Sequence, residues 1–311
     1  MPRKEGIKMS AEKCIIILSE KSSGSSALQN FLVKFANAQH VSKTRHFENE
    51  TLYWTKAASL LNKPQLDMVD SEVPIENKKA RVDLIRLLKA NLNYYVPPDD
   101  NKKLIFEGWR LLCKRYSPIF LEKSPHHLCQ WSAIELIIEC IEKLSDVDFL
   151  LIGLIRNPMD TIYSQYKRWK SRPEEVQKQW LIAYKNLQKL KEIIGDQIVF
   201  VRYEDLATSP VCLEPVFNFC EKTLDASAKN YFHHKSIQKW KTSALYSFSI
   251  SPEVAELARQ YGYQKEELDN ETHLFWPLVR EVSRAAYKAI EPFKKVILYG
   301  GKAIKSISST L

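Results

Sequence analysis

Short apolar runs alternate with longer stretches of helical periodicity along most of this chain. The apolar runs lie at 14–18, 104–106, 119–121, 148–155 and 198–202. Uninterrupted apolar runs of this kind are typical of parallel strands that are covered on both faces. Between them, apolar residues recur at helical spacing, which predicts helices at 25–38, 51–62, 75–95, 126–144, 159–170, 174–194 and 210–221. The alternation predicts an α/β fold, a parallel sheet flanked by helices.

The same pattern divides the 311 residues into two parts. We expect one α/β domain over 10–265 and a helical C-terminal extension over 266–311. In the extension, apolar positions such as Trp276 and Val282 are offset against lysines such as Lys294. This favours a helix that packs on the domain or on a second subunit over contact with a membrane surface, while the oligomeric state stays open.

Composition narrows the class of protein only a little. The 46 basic and 37 acidic residues give a net charge of +9, which suits an anionic ligand without choosing between nucleotide, polysaccharide, nucleic acid and membrane. The six cysteines lack metal-ligand spacing and lie mostly in apolar patterns, so we expect reduced thiols in a cytoplasmic protein. The first apolar run is too short for a signal peptide or a membrane span. The adjacent pairs at 126–127 and 233–234 lack the i, i+4 spacing of helical histidine ligands, so no metal site is expected.

A serine-rich loop follows the first predicted strand. It contains Ser22, Ser23, Gly24, Ser25 and Ser26, and a predicted helix follows directly. Free N–H groups at a helix start, together with hydroxyls, suffice to bind one phosphate. An ATP-type P-loop would need glycine at 19 and lysine at 25, and both positions are serine, which disfavours a kinase. A serine-rich helix cap without a ligand is the alternative.

A second segment of the same design follows the apolar run 148–155. Arg156 stands at the strand end, Asn157-Pro158 begins a helix, and Ser164 lies two turns further on. Arg156 and Ser164 could close on one phosphate, or Arg156 could pair with Asp160. The two segments together indicate a ligand with phosphate at two places.

These segments resemble those of the PAPS-dependent sulfotransferases, particularly the bacterial and tyrosylprotein-sulfotransferase-like branch. Residues 22–28 look like that family's 5′-phosphosulfate loop, and Arg156-x-Pro158-x-Asp160-x-x-x-Ser164 looks like its 3′-phosphate motif. The resemblance implies a P-loop-like parallel sheet, PAPS (3′-phosphoadenosine 5′-phosphosulfate) as cofactor, PAP as its product, and no metal. It also implies that Arg156 and Ser164 hold the 3′-phosphate.

Three further pieces extend the resemblance to about residue 265. Glu122-Lys123-Ser124-Pro125-His126 is similar to a family segment whose lysine reaches the transferring group, so Lys123 is implied to be catalytic. Tyr203-Glu204-Asp205-Leu206 is similar to a strand-end motif. Ser236-x-x-x-Trp240 and the segment 258–263 resemble pieces of the same branch, and Tyr203 and Ser236 are thereby assigned to the cofactor site. Two positions before the glycine, where the family has a basic residue, this chain has Ser22. The charge on the leaving group would therefore be met by either Lys21 or Lys123.

The resemblance also points to Glu50 as the general base that removes the acceptor proton. Glu48, His46 and His126 are the alternatives, and a carboxylate that merely stabilises a helix start is a further one. The predicted function is sulfuryl transfer from PAPS to a hydroxyl of a carbohydrate or small metabolite, with no nucleic-acid partner. A P-loop kinase and a non-catalytic anion-binding module are the competing hypotheses.

Overall fold

Four parallel strands form the sheet at the centre of the structure, a computed structural model that describes residues 12–243, 246–270 and 273–290. The spatial order is β2-β1-β3-β4, with β1 (Glu12–Ser19), β2 (Ile119–Lys123), β3 (Val147–Ile155) and β4 (Ile198–Arg202). All neighbouring strands are parallel. The predicted α/β fold with a parallel sheet is confirmed.

Helices surround this sheet at most of the predicted positions. They are α1 (Ser25–Phe35), α2 (Tyr53–Leu60), α3 (Asn77–Asn91), α4 (Asn101–Arg115), α5 (His126–Cys129), α6 (Trp131–Lys143), α7 (Pro158–Trp169), α8 (Pro173–Ile194), α9 (Tyr203–Thr208), α10 (Glu214–Phe219) and α11 (Pro252–Gln260). The predicted helix 126–144 is two helices, because Gln130 adopts an extended conformation between α5 and α6. The predicted helix 210–221 is a 3-10 turn, Pro210–Leu213, followed by α10.

The strand predicted at 104–106 is wrong. These residues lie inside α4, where Leu104, Ile105, Trp109 and Leu112 form the buried stripe of the helix. A three-residue apolar run fits a strand and one turn of a buried helix equally well, so its length could not decide between them.

Strand β1 lies at the centre of the core because both of its faces are covered. Cys14, Ile16 and Leu18 pack into one hydrophobic cluster, whereas Ile15 and Ile17 pack into another on the opposite face. All five side chains are fully buried. This two-sided burial explains why the strand reads as a continuous apolar run rather than as an alternating pattern.

The parallel arrangement brings four strand ends to one edge of the sheet. In register, Ile17 of β1 pairs with Lys123 of β2, Ser19 of β1 pairs with Leu154 of β3, and Ile155 of β3 pairs with Arg202 of β4. Ligands of open α/β sheets bind outside the carboxyl ends of the strands. The segments that follow the strands are therefore neighbours at that edge.

The C-terminal part of the chain contains a helix at 276–290. Trp276 packs on Tyr166 and Tyr246, with ring centroids 5.0 and 4.8 Å apart, and Arg280 pairs with Glu174. Residues 291–311 of the predicted extension lie outside the described residues. Within the described ranges, no helix has the length and apolar character needed to cross a membrane. All six cysteines are free thiols.

Candidate active site

The loop between β1 and α1 turns sharply so that the helix starts at the carboxyl edge of the sheet. Gly24 has φ +91°, and a Cβ atom there would lie 2.4 Å from the ring of Tyr203. Glycine is therefore required by both the backbone conformation and the close tyrosine. Ser22 is also left-handed, with φ 63°. The first N–H groups of α1 have no partner within the helix, which makes this end suitable for an anion.

Buried side chains support the loop from beneath. The Cys129 thiol donates to Glu20 at 3.0 Å, and the Gln165 amide donates to Glu20 at 3.2 Å and to the Lys21 carbonyl at 3.1 Å. Burial raises the pKa of Glu20. The Ser23 hydroxyl lies 3.2 Å from the Tyr184 hydroxyl. Of the predicted loop hydroxyls, that of Ser23 is thus engaged inside the protein.

Arg156, the residue after β3, joins two distant segments at this edge. Its guanidinium donates to the carbonyls of Ser22 at 2.8 Å and Ser236 at 2.7 Å, and it lies 4.7 Å from the centre of the Tyr203 ring. The Tyr203 hydroxyl is 2.9 Å from the Ser236 hydroxyl. The structure therefore brings together Ser22, Arg156, Tyr203 and Ser236, as their shared assignment to one site requires.

Asp160 fixes the segment after Ser236 rather than forming an ion pair with Arg156. Its carboxylate accepts a hydrogen bond from the Gln238 backbone N–H at 2.7 Å. Burial raises the pKa of Asp160 to about 7, although the nearby Arg156 charge opposes the rise. The carboxyl group thus holds one wall of the space beside Arg156.

That space is a cavity of about 390 Å³ with a strongly basic lining. Its walls come from the end of β3, one face of α7 and the Ser236 segment, and consist of Arg156, Asp160, Tyr163, Ser164, Lys167, Arg168, Ser236 and Lys239. The lining therefore contains four cationic side chains and one carboxyl group. The predicted pair of Arg156 and Ser164 shares this cavity, so its two members can contact one ligand.

Arg168 is a residue of this cavity that sequence reasoning missed. It lies one helical turn beyond Ser164, and residues at that spacing share a helix face. Its guanidinium is also 3.5 Å from a Glu48 carboxylate oxygen. The i, i+4 spacing from Ser164 was the signal that could have found it.

Glu204 of the Tyr203–Leu206 motif positions the helix that carries Ser164. One carboxylate oxygen accepts from the Asn157 N–H at 3.0 Å, and the other accepts from the Tyr263 hydroxyl at 2.7 Å. The Asn157 side chain in turn caps α7 by accepting from the Met159 N–H at 2.8 Å. Two motifs far apart in sequence therefore meet on the start of one helix.

Lys123, at the end of β2, reaches the serine-rich loop between β1 and α1 from the other side. Its side chain is fully buried. The ammonium donates to the Ser26 hydroxyl at 3.0 Å and to Glu50 at 3.2 Å, and it lies 3.8 Å from Glu48. The structure thus joins Lys123 both to the loop and to the predicted general base.

Lys21 is directed elsewhere. Its ammonium donates to the backbone carbonyls of Val69 and Asp70 and lies 5.6 Å from the Trp169 ring. Of the two lysines considered for the leaving group, Lys123 contacts the hydroxyl of the loop, whereas the ammonium of Lys21 is held by the segment at 69–70.

The candidate bases cluster around Lys123 but differ in environment. Burial raises the pKa of Glu50, and the Lys123 charge opposes the rise only in part. Burial also acts on Glu48, but there Ser26, Lys123 and Arg168 outweigh it and lower the pKa. His126 lies 3.8 Å from Glu50, and burial, followed by the Lys21 charge, lowers its pKa well below the ordinary value. His46 contacts Lys56 instead, at 3.1 Å.

A buried network anchors the segment that carries Glu50, and sequence reasoning did not predict it. Glu122 accepts hydrogen bonds from the hydroxyls of Thr51 at 2.7 Å and Ser124 at 2.5 Å. The Ser124 hydroxyl in turn accepts from the N–H groups of Thr51 at 3.1 Å and Leu52 at 3.0 Å. Within the described ranges, no group of three or more His, Cys, Asp or Glu side chains is arranged to hold a metal ion.

Comparison with known proteins identifies the family of the chain. The family model of the sulfotransferase family matches residues 14–225, which is more than half of the chain. The chain therefore belongs to the sulfotransferase family. The sulfotransferase domain from the Synechococcus PCC 7002 olefin synthase is similar in structure, with a TM-score of 0.53 and 18% sequence identity over 82% of this chain and 96% of that one. At this identity the likeness concerns the fold alone. A search of curated proteins finds none that matches the chain.

Proposed function

We propose that this protein transfers a sulfuryl group from PAPS to a hydroxyl group of a carbohydrate or a small metabolite. Membership of the sulfotransferase family supports sulfuryl transfer in general. The observation that carries the finer proposal is the basic cavity that Arg156 and Ser164 share, beside a phosphate loop whose Ser26 hydroxyl contacts Lys123. Anion-binding groups thus lie at two separate places along one edge of the sheet.

The donor groups at this edge suit a ligand with two phosphates. Among the described residues, the Ser22 hydroxyl and the Arg156 Nε are buried and have no hydrogen-bond partner. Both atoms are therefore available to a ligand that enters the cavity. The start of α1 with Ser25 and Ser26 would hold the 5′ end, and Arg156, Ser164 and Arg168 would hold the 3′-phosphate. The absence of the P-loop lysine at position 25 argues against ATP.

Lys123 and Glu50 supply the chemistry that the protein itself must provide. PAPS, when bound, supplies an activated sulfuryl group whose departure leaves negative charge on a phosphate oxygen. Lys123 places a fixed, buried cation beside Ser26 of the phosphate loop, where preorganised charge is most effective. Lys21 does not share this role in the proposal, because its ammonium is held by the carbonyls of Val69 and Asp70.

Glu50 takes the proton of the acceptor hydroxyl. Its Oε1 is bound by Lys123, so its Oε2 is the oxygen that receives the proton. Burial raises the pKa of this carboxylate and makes it more basic than an exposed one, while the Lys123 charge favours its ionised form. Glu48 is the weaker candidate because its pKa is lowered. His126 Nδ1 lies 3.8 Å from the Glu50 Oε2, so this histidine borders the carboxylate without a hydrogen bond to it.

Thermal unfolding in the presence of candidate ligands tests the proposal. At 100 times the dissociation constant a ligand stabilises a protein by about 2.7 kcal/mol, which for a chain of this length raises the Tm by roughly 4–6 °C. We expect such a rise with PAP and little change with ATP and magnesium or with an oligonucleotide. Ser164→Ala should reduce the rise with PAP, whereas Ser227→Ala, an exposed serine away from the site, should not. An equal response to all three ligands would count against a PAPS enzyme and favour a general anion-binding module.

A further inference from the structure

A second basic cavity, of about 240 Å³, lies behind the segment that carries Glu50. Its polar lining consists of Lys43, Thr44, Arg45, Lys56, Asp83 and Arg86. None of these residues lines the cavity beside Arg156. The volume is that of roughly eight water molecules, which accommodates an oxyanion with a short carbon framework.

The charge of this cavity is unbalanced. The one acidic residue in its lining, Asp83, already accepts two hydrogen bonds from the Arg45 guanidinium, at 2.8 and 2.9 Å. Arg86 lies 3.7 Å from the same carboxylate. With Arg45 neutralised by Asp83, the remaining cations of the lining are Lys43, Lys56 and Arg86. Lys56 is buried, whereas Lys43 and Arg86 are exposed, so an anion in the cavity would meet one buried cation and two at its solvent side.

Lys56 is the most informative of these cations because its side chain is buried. It is 2% exposed, and its ammonium donates to the Thr51 carbonyl at 2.8 Å and lies 3.1 Å from the His46 Nε2. An ammonium has three N–H donors, so one is left for an occupant of the cavity. Burial lowers the pKa of Lys56 to about 8, and burial, followed by the Lys56 charge, lowers that of His46 to about 4. At neutral pH the lysine therefore keeps its charge beside a neutral histidine.

The walls of this cavity are hydrogen-bonded to the main chain of the proposed base. The Thr44 hydroxyl donates to the carbonyl of Glu50 at 2.6 Å, and Lys56 donates to the carbonyl of the following residue, Thr51. An occupant bound by Lys56 would thus contact a side chain that is itself hydrogen-bonded to the residue next to Glu50. The cavity and the proposed base are therefore connected through one short segment of main chain.

We propose that this cavity is an acceptor subsite that binds a carboxylate, phosphate or sulfate group on the molecule that becomes sulfated. The inference rests on the proposed function, because it takes Glu50 as the base. It narrows the acceptor from any hydroxyl compound to an anionic one. Lys56 and Arg86 are then the residues that select it.

Binding of inorganic phosphate to the full-length protein gives the first test. The protein is first saturated with PAP, so that the cofactor site is closed to the probe, and phosphate is then titrated calorimetrically. We expect binding that Arg86→Gln weakens by roughly 5–10-fold, the loss of one charge-assisted contact. Lys89→Gln, an exposed cation on the same helix α3 outside the cavity, is the matched control and should bind as the wild type does. Lys56→Met should abolish binding, and Arg86→Gln carries the test alone if that variant fails to fold.

Turnover with paired acceptors separates an acceptor subsite from a site for a free anion. Glucose and its 6-phosphate share their hydroxyl-bearing ring, as glucose and glucuronate do, and only one member of each pair is anionic. We expect kcat/KM to be at least 10-fold higher for the anionic member, and Arg86→Gln to remove the difference without changing PAP affinity. Added phosphate should raise KM for the anionic acceptor without changing kcat.

Three results would overturn the inference. The first is that phosphate does not bind the PAP-saturated protein, and the second is that Arg86→Gln leaves the affinity for phosphate unchanged. The third is that phosphate changes kcat without competing with the acceptor, as a separate effector would. Failure of PAP itself to bind would instead contradict the proposed function, so the two failures can be told apart.

Discussion

Removal of the Glu122 carboxylate should disconnect the Glu50 segment from the sheet. Glu122 is buried at the end of β2, and its Oε1 accepts the hydroxyls of Thr51 and Ser124 while lying 3.4 Å from His127 Nε2. Burial would raise the pKa of this carboxyl group, but His127 and the two hydroxyls outweigh it and lower the pKa. Glu122 is therefore ionised in the folded protein.

The expected loss of stability follows from these contacts. Each hydrogen bond to a charged, buried group contributes about 1.5–3 kcal/mol, and its removal leaves a buried partner unpaired. Glu122→Ala should thus lower the free energy of unfolding by about 3–5 kcal/mol, equivalent to a Tm lower by roughly 5–10 °C. Glu122→Gln should cost less, because the amide oxygen can still accept the two hydroxyls.

Activity should fall further than stability alone explains. Ser124 is oriented by Glu122 and accepts the N–H groups of Thr51 and Leu52, so its reorientation moves the adjacent base. A displacement of about 1 Å can cost on the order of 100-fold in rate. We expect kcat, measured by transfer of labelled sulfuryl below the unfolding temperature, to fall roughly 10–100-fold in Glu122→Ala and less in Glu122→Gln, whose amide oxygen can still accept the two hydroxyls.

PAP affinity separates this positioning role from general damage. It should change less than about 2-fold, since the proposed 3′-phosphate contacts come from the Arg156 side. Glu142→Gln, an exposed residue of α6, is the control and should leave Tm, kcat and PAP affinity unchanged. A lower Tm with unchanged kcat in Glu122→Ala would refute the positioning role, and a parallel loss of PAP affinity would indicate wider disruption.

Three further predictions concern single side chains at the site. Glu50→Gln should lower turnover by about 10²–10⁴-fold with PAP affinity unchanged. The wild-type rate should fall as the pH drops through the raised pKa of Glu50. Full activity of the variant would show that another residue is the base. Lys123→Met should lower kcat by roughly 100-fold, whereas Lys21→Met should lower mainly the Tm. Equal effects of the two substitutions on kcat would contradict the proposal that Lys123, and not Lys21, meets the leaving group. Asp160→Asn should remove a pH dependence of stability. The wild-type carboxyl group has a pKa of about 7 in the folded protein against an ordinary 3.8, so the folded state binds the proton more tightly. The free energy of unfolding should therefore fall by about 2–4 kcal/mol as the pH rises from about 4 to above 7. Thermal unfolding at pH 5 and pH 8 measures it, and a wild-type Tm that shifts no more than the variant's would show that burial of Asp160 has no such cost.

Local patterns in the sequence predicted the parts of the site that are local in structure. Strand β1, the turn at Gly24 and the start of α1 form one continuous segment, so the spacing of a few residues specifies their arrangement. Arg156 and Ser164 are likewise related by one strand end and two turns of α7. The parallel sheet followed from the apolar runs, because strands buried on both faces carry that pattern.

Contacts between distant segments could not be predicted in the same way. Whether Lys21 or Lys123 faces the loop depends on the left-handed conformation of Ser22 and on carbonyl acceptors at 69–70, neither of which has a signature in sequence. The network around Glu122 joins β2 to residues about 70 positions earlier in the chain. The second basic cavity is likewise assembled from α2, α3 and the segment before them.

The central claim is that this site recognises the 3′-phosphate of the nucleotide. A comparison of the affinities for two nucleotides, with and without that phosphate, tests the claim most directly. Calorimetric titration of the wild-type protein with PAP and with adenosine 5′-phosphate isolates that phosphate, since the two ligands differ in nothing else. Charge-assisted contacts from Arg156, Ser164 and Arg168 predict that PAP binds at least roughly 100-fold more tightly. Equal affinity for the two nucleotides would contradict the account.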